Sequence, residues 1–251
     1  MKSFPLKYSR VETEDGSYTL FSEAFGEACH STAGAKSETI LHYLKGCAVE
    51  EKAQAQTALS ILEVGFGLGV GLLTTWEHLH SLPAEVHFLS LEIDRELVLW
   101  FLEEHKTHPL LQNIEVREKT VEGKLRNFSF TILIGDARRE LPEYVSRRKI
   151  IWEAIYQDAF SPRRNPVLWT RQWFELLKMH SSENVILSTY SASSSIRKSL
   201  VEAGWKLYPG EKFGPKRTST RARLTGETDK DILDALARSP VKAITDEELL
   251  T

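Results

Sequence analysis

Cysteine is nearly absent from these 251 residues: only Cys29 and Cys47 occur. Two isolated thiols read as reduced and structural, and the eight histidines form no H-x-x-x-H or Cys/His cluster, so no metal site is expected. No apolar run approaches membrane-spanning length, and residues 1–10 hold none of signal-peptide length. A cytoplasmic location with no membrane partner is the expectation. Positive charge is not in excess either. The 32 Lys and Arg stand against 35 Asp and Glu, a net charge of −3 that excludes a globally basic nucleic-acid binder but not a local basic patch. Repeats and low-complexity tracts are also missing. What remains, with 41% hydrophobic and 27% charged residues, suits a globular chain with a sizeable core.

Three stretches are expected. Residues 1–57 form a hairpin and helix cover, 58–226 a Rossmann-like domain, and 227–251 a charged tail with one short helix before fraying. In the cover, runs around Val11 and Tyr18 to Phe21 flank Glu14-Asp15-Gly16, a hairpin signal. Ile40, Leu41 and Leu44 then recur at helical spacing. From Ala58, apolar strands alternate with amphipathic helices, the pattern of an α/β, mostly parallel, doubly wound sheet. Strands are predicted at ALSILEV, EVHFLSLEI, FTILIGD, IIWEAIYQD and NVILSTY, and helices over 70–80, 95–105, 138–148, 168–180 and 193–203. A terminal antiparallel hairpin follows Gly204, and 106–127 reads as a partly helical insertion. His42, Trp76, Trp100 and Trp173 sit at core spacings.

Ligands of such sheets bind beyond the carboxyl ends of the strands. The first strand runs into Glu63-Val64-Gly65-Phe66-Gly67-Leu68-Gly69 and then a helix. Glycines permit the tight turn and close backbone approach, and the helix N-terminus offers N–H groups. A dinucleotide fingerprint would need a third glycine at Val70 or Leu72, depending on where it starts. The spacing instead resembles the first motif of class I methyltransferases, whose loop passes under the amino-acid part of S-adenosyl-L-methionine. On that reading Glu63, Gly65, Phe66, Gly67 and Gly69 form the cofactor loop, with Glu63 balancing an ammonium or orienting the loop. Glu92 at the next strand end is placed for the ribose hydroxyls, and Asp136 with Ala137 for the adenine. Asp94 is better read as a helix cap, and capping is the competing reading of Asp136.

The fourth strand ends in DAFSPRRNPVLWT. This segment resembles the D-x-F-x-P-x-x-N-P-x-x-W-T signature of the MnmC-type tRNA 5-aminomethyluridine methyltransferases. TEDGSYTLFSEAFGEACHSTAGAKSET, LEVGFGLGVGLL, STYSASSSIRKSLVEAGW and KFGPKR are similar to the family pattern as well, so the resemblance spans roughly residues 8–224. It implies a stand-alone methyltransferase without the FAD-dependent oxidase domain, which methylates the amine of 5-aminomethyl-(2-thio)uridine at the tRNA wobble position. Asp158 is then the catalytic residue, and Phe160 and Pro162 wall the base pocket. His30 and Ser31, in a segment that the resemblance places as a cover, contact substrate. Of the basic clusters, Arg163 (with Arg164) and Lys216-Arg217 are the candidates for anticodon-loop phosphates. The chain is expected to be monomeric. The alternatives are a methyltransferase acting on a small-molecule or protein amine, and a non-catalytic cofactor-binding module.

Overall fold

The computed structural model describes residues 7–13, 18–29, 34–210 and 219–249. It opens with a small antiparallel sheet of β1 (Tyr8–Glu12), β2 (Tyr18–Ser22) and β3 (Glu27–Ala28). Tyr8 pairs with Ser22 and Glu12 with Tyr18, the expected hairpin; its Asp-Gly turn lies outside the described residues. Next comes α1 (Ala35–Thr39), which continues as a π-helical stretch (Ile40–Lys45), and then α2 (Val49–Ala55). The wider π turns shift which side chains face inward. His42, Tyr43 and Leu44 are buried, whereas Ile40 and Leu41, assigned inward by 3.6-residue spacing, are only half-buried.

The second sheet is built in chain order from β4 (Ala58–Val64), α3 (Val70–Leu79), β5 (Glu85–Glu92), α4 (Arg95–Glu104), β6 (Ile114–Val116), β7 (Thr120–Leu125), β8 (Phe128–Ile134), α5 (Ala137–Ser146), β9 (Trp152–Gln157), α6 (Arg171–Met179), β10 (Ser181–Thr189), α7 (Ser194–Glu202), β11 (Lys206–Pro209) and β12 (Thr220–Arg223). Its strand order is β11-β12-β10-β9-β4-β5-β8-β7-β6. β4, β5, β8, β9 and β10 run parallel, while β12 lies antiparallel between β10 and β11. The winding reverses between β4 and β9, which makes their carboxyl ends the switch point where such sheets bind ligands.

Both faces of the sheet are covered, which is why its central strands read as near-continuous apolar runs. Leu59, Ile61, Val86 and Phe88 pack into one core, and Leu62, Val64, Leu89 and Leu91 into the other. The alternation along β4 and β5 therefore serves two layers. Trp173 is fully buried in the second core, and Trp76 and Trp100 pack against the first. α6 starts three residues later than the predicted 168–180 helix because Thr170 caps it, its hydroxyl accepting from Trp173 N at 3.1 Å.

Two expectations need correction. The 106–127 segment holds only one 3-10 turn (Pro109–Leu111), and its longer elements are β6 and β7, an antiparallel extension of the sheet edge. Val121 is buried there, Gly123 leaves room for the Phe130 ring, and Arg126 at φ 55° opens a two-residue turn into β8. The tail does not fray after one helix. α8 (Lys230–Arg238) inserts Ile232 and Leu236 into the second core, and α9 (Asp246–Leu249) follows. Arg138 pairs with Asp246 through both guanidinium ends, and Arg171 N donates to Ile244 O at 2.8 Å. Apolar positions four residues apart decided this, not the charge content. No helix among the described residues is long and apolar enough to cross a membrane.

Candidate active site

The glycine loop is stitched to its neighbour strand: Gly65 N and Phe66 N both donate to Leu91 O, at 3.2 and 3.0 Å. Gly65 sits at φ 99°, and a Cβ there would lie 2.6 Å from the Asp158 carbonyl oxygen. Only glycine lets this loop touch the turn after β9 backbone to backbone. Gly67 N donates to Glu92 Oε2 at 3.1 Å, and Asp94 N to Glu92 Oε1 at 2.9 Å, so the carboxylate is held at the end of β5. Asp94 itself caps α4, accepting from Glu96 N at 2.9 Å. Asp136 does two things: it accepts from Arg138 N at 2.9 Å as the cap of α5, and it lines the cavity.

These strand ends and the cover enclose a cavity of about 380 Å³. Gly65, Gly67, Glu92, Asp136, Ala137, Asp158 and Phe160 line it together. Glu63, Phe66 and Gly69 do not. Glu63 is buried beneath the loop, accepting from the Ser90 hydroxyl and filling the space that a side chain on Gly71 would need. Phe66 turns into the core, edge-on to Phe101 at 4.8 Å, and Gly69 begins α3 beside the same ring. Pro162 and Arg163 lie outside the lining, Pro162 half-buried and Arg163 exposed. His30, Ser31, Lys216 and Arg217 lie outside the described residues.

Sequence reasoning expected a cover but missed the residues through which it lines the cavity. Tyr43 reaches the cavity from the π-helical stretch and donates to Asp158 Oδ1 at 2.5 Å, with its ring stacked on Tyr156 at 5.2 Å. Phe25 stacks on Phe160 at 4.5 Å, and Glu27 Oε2 accepts from Ser161 N at 3.1 Å. Glu38 and Cys29 also line the cavity. Tyr190, just beyond β10, donates to Ala159 O at 3.0 Å; its place at a strand end was the one available signal. The turn after β9 is anchored below as well, where Gln157 Nε2 donates to Leu168 O at 2.9 Å and Trp169 Nε1 to Phe160 O at 2.8 Å.

Among the described residues, the lining holds the carboxylates of Glu27, Glu38, Glu92, Asp136 and Asp158, and no lysine, arginine or histidine. Burial pushes the Glu92 carboxyl up to about 7 and holds Glu63 well above the usual range. Tyr43 is raised by burial and then by the Asp158 charge, so it stays a protonated donor. The Cys29 thiol is raised by burial and neighbouring acids, which keeps it an unreactive neutral group. An acid-lined cavity with glycine backbone as one wall fits a cationic sulfonium that carries ribose hydroxyls and an ammonium. Its volume lies in the range of cofactor pockets.

Residues 102–225 match the family model described as "S-adenosyl-L-methionine-dependent methyltransferase". Among curated proteins, the tRNA 5-methylaminomethyl-2-thiouridine biosynthesis bifunctional protein MnmC of Paraburkholderia phytofirmans is 27% identical over 79% of this chain and 32% of its own length. The protein of the same name from Burkholderia multivorans is 29% identical over 85% of this chain and 34% of its own length. The chain thus spans about a third of the length of these relatives. Among solved structures, MnmC2 from Aquifex aeolicus superposes with a TM-score of 0.76 at 28% identity, covering 100% of this chain and 82% of that one. Read with the glycine loop and its strand order, these likenesses converge: the chain is an S-adenosyl-L-methionine-dependent methyltransferase that is similar to the MnmC proteins.

Proposed function

We propose that this chain methylates the primary amine of 5-aminomethyl-(2-thio)uridine at the wobble position of tRNA, giving the 5-methylaminomethyl product. The observation that carries the reading is Asp158, fixed by Tyr43 at the lip of an acid-lined cavity and carried by the D-x-F-x-P-x-x-N-P-x-x-W-T turn. The names of the curated relatives support the tRNA product. In this reading Gly65, Gly67, Glu92, Asp136 and Ala137 hold the cofactor, and Glu63 supports the loop from below. When bound, S-adenosyl-L-methionine supplies a sulfonium methyl, whose C–S electrons leave onto sulfur as the amine lone pair forms the N–C bond.

The chain's own residues then have three tasks. Asp158 accepts an N–H hydrogen bond and aims the nitrogen, since alignment supplies most of the advantage in an in-line displacement. Phe160, stacked on Phe25, forms a wall for the base. Arg163 and Arg164, exposed on the rim, meet phosphates of the anticodon loop, whose bases are already partly unstacked. The remaining expected contacts, Pro162 beside the turn and His30, Ser31, Lys216 and Arg217 outside the described residues, stay part of this proposal. The test is tRNA from cells lacking the modification, incubated with protein and cofactor and digested for nucleoside mass spectrometry. Appearance of the methylaminomethyl nucleoside, abolished in Asp158→Ala with cofactor binding retained, is the expected result. Methylation of free amines but not tRNA, or undiminished turnover in Asp158→Ala, overturns it.

A further inference from the structure

We infer that Tyr43 is the positioning residue for Asp158, setting which way the carboxylate faces the incoming amine. The inference rests on the proposed role of Asp158. Tyr43 is fully buried apart from its reach into the cavity, and its hydroxyl donates to Asp158 Oδ1 at 2.5 Å across 115 residues of sequence. Its ring cannot drift, being stacked on Tyr156 at 5.2 Å, and Tyr156 is fully buried. The π-helical register delivers it: it brings Tyr43 inward beside His42 and Leu44, where regular spacing selects Ile40 and Leu41 along with Leu44. π turns inside helices concentrate at functional sites for this reason.

The carboxylate is otherwise attached to a turn that needs outside support. Asp158 N donates to Val64 O at 2.9 Å, and Tyr190 pins the next carbonyl, that of Ala159, at 3.0 Å. These bonds hold the backbone, whereas the Tyr43 bond is made to the side chain itself. An aspartate has one rotation about χ1 and a broad one about χ2, so a strong donor on Oδ1 restricts the face that the other edge of the carboxylate presents. Because Tyr43 stays protonated, it acts as a donor throughout the neutral range. The cover thereby enters the chemistry without touching the transferred carbon.

The experiment compares Tyr43→Phe, Asp158→Asn, their double variant and Tyr156→Phe as a control. Tyr156→Phe removes a buried hydroxyl, bonded to Thr75 at 3.3 Å, from the same ring stack away from the cavity. Calorimetry with S-adenosylhomocysteine and thermal melting report folding, and turnover is measured on hypomodified tRNA. Tyr43→Phe keeps the ring and is expected to lower kcat on the order of 10-fold or more, the loss typical of one charge-assisted hydrogen bond. KM for tRNA and the affinity for S-adenosylhomocysteine stay within about twofold. In the double variant, Tyr43→Phe adds no further loss to Asp158→Asn. Equal kcat in Tyr43→Phe and wild type, or equal losses in Tyr43→Phe and Tyr156→Phe, overturns the inference. Full activity in Asp158→Asn overturns the underlying reading instead, so the two failures are separable. If Tyr43→Phe loses cofactor binding together with turnover, the residue is a structural support and the inference is also wrong.

Discussion

Glu92 makes cofactor affinity depend on pH in a direction opposite to the stability of the free chain. Its carboxyl, raised by burial to about 7, accepts from Gly67 N and Asp94 N and faces the cavity. In the proposed role Glu92 accepts from both ribose hydroxyls, which the ionised form does fully and the protonated form only in part. With a pKa of about 7, roughly 9% is ionised at pH 6 and roughly 91% at pH 8, so affinity for S-adenosylhomocysteine should rise by up to about tenfold across that interval. Stability runs the other way. The folded pKa lies above the ordinary 4.5, so the contribution of Glu92 is fully present below 4.5 and is lost as pH rises through about 7. The melting temperature of the free protein should therefore fall between pH 5 and pH 8, while the increment added by saturating ligand grows. Calorimetric titration at half-unit pH steps, in two buffers of different ionisation enthalpy, reads both the affinity and the proton released on binding. In Glu92→Gln the slope should flatten, and its affinity should match that of the wild type at low pH. Flat wild-type affinity from pH 6 to pH 8, or a wild-type slope retained in Glu92→Gln, would refute the assignment.

Three further outcomes follow from the geometry. Gly65→Ala places a Cβ against the Asp158 carbonyl at positive φ, so a strain of about 1–3 kcal/mol and a more than tenfold loss of S-adenosylhomocysteine affinity are expected; wild-type affinity would show that the loop does not bear on the turn. R163A/R164A should weaken tRNA binding and make the log–log salt slope shallower by roughly 1.4, the value for two phosphate contacts to single strands; filter binding between 50 and 200 mM salt checks it, and an unchanged slope places the RNA elsewhere. Asp246→Ala removes the partner of Arg138, half-exposed on α5, and should cost about 1 kcal/mol in urea unfolding. The Arg138 hydrogen bond depresses the Asp246 carboxyl, so this contribution is present above its ordinary 3.8 and vanishes as pH falls further below; a pH-independent loss would argue for packing instead.

The parallel core was legible because its physics is periodic. ALSILEV and EVHFLSLEI are apolar on both faces, and each strand end is marked by Gly65, Glu92, Asp136 or Asp158. The choice of Glu92 over Asp94, two residues further on, followed because Asp94 stands where a cap must stand. The cover was not legible in the same way. Tyr43 lies in a stretch whose π turns no 3.6-residue spacing reveals, and Phe25 and Glu27 lie just before and at the start of a two-residue strand with no alternation to read. Glu63 looked like a ligand residue because it borders the glycines, yet its neighbours Ser90 and Gly71 draw it beneath the loop. In β6, β7 and the tail the signal was present, in Val121, Ile232 and Leu236, but charge content obscured it.

Under the proposed function, the distribution of charge lets a chain with a net charge of −3 serve a polyanionic substrate. Acids are concentrated inside the cavity, two from the cover (Glu27 and Glu38) and three from the ends of β5, β8 and β9. Arg163 and Arg164 stand exposed on the turn that carries Asp158, within six residues of it. In that reading a phosphate is repelled from the acid-lined cavity and meets the exposed arginines, whereas an ammonium or a sulfonium is drawn inward. A short substituent on a base, projecting from a backbone kept outside, satisfies both demands at once. A free acidic metabolite satisfies neither. The same turn thus links the two charges: shifting it to relieve the 2.6 Å contact that a Cβ on Gly65 would make moves the arginines and the carboxylate together, so affinity for tRNA and alignment of the amine should fail in concert.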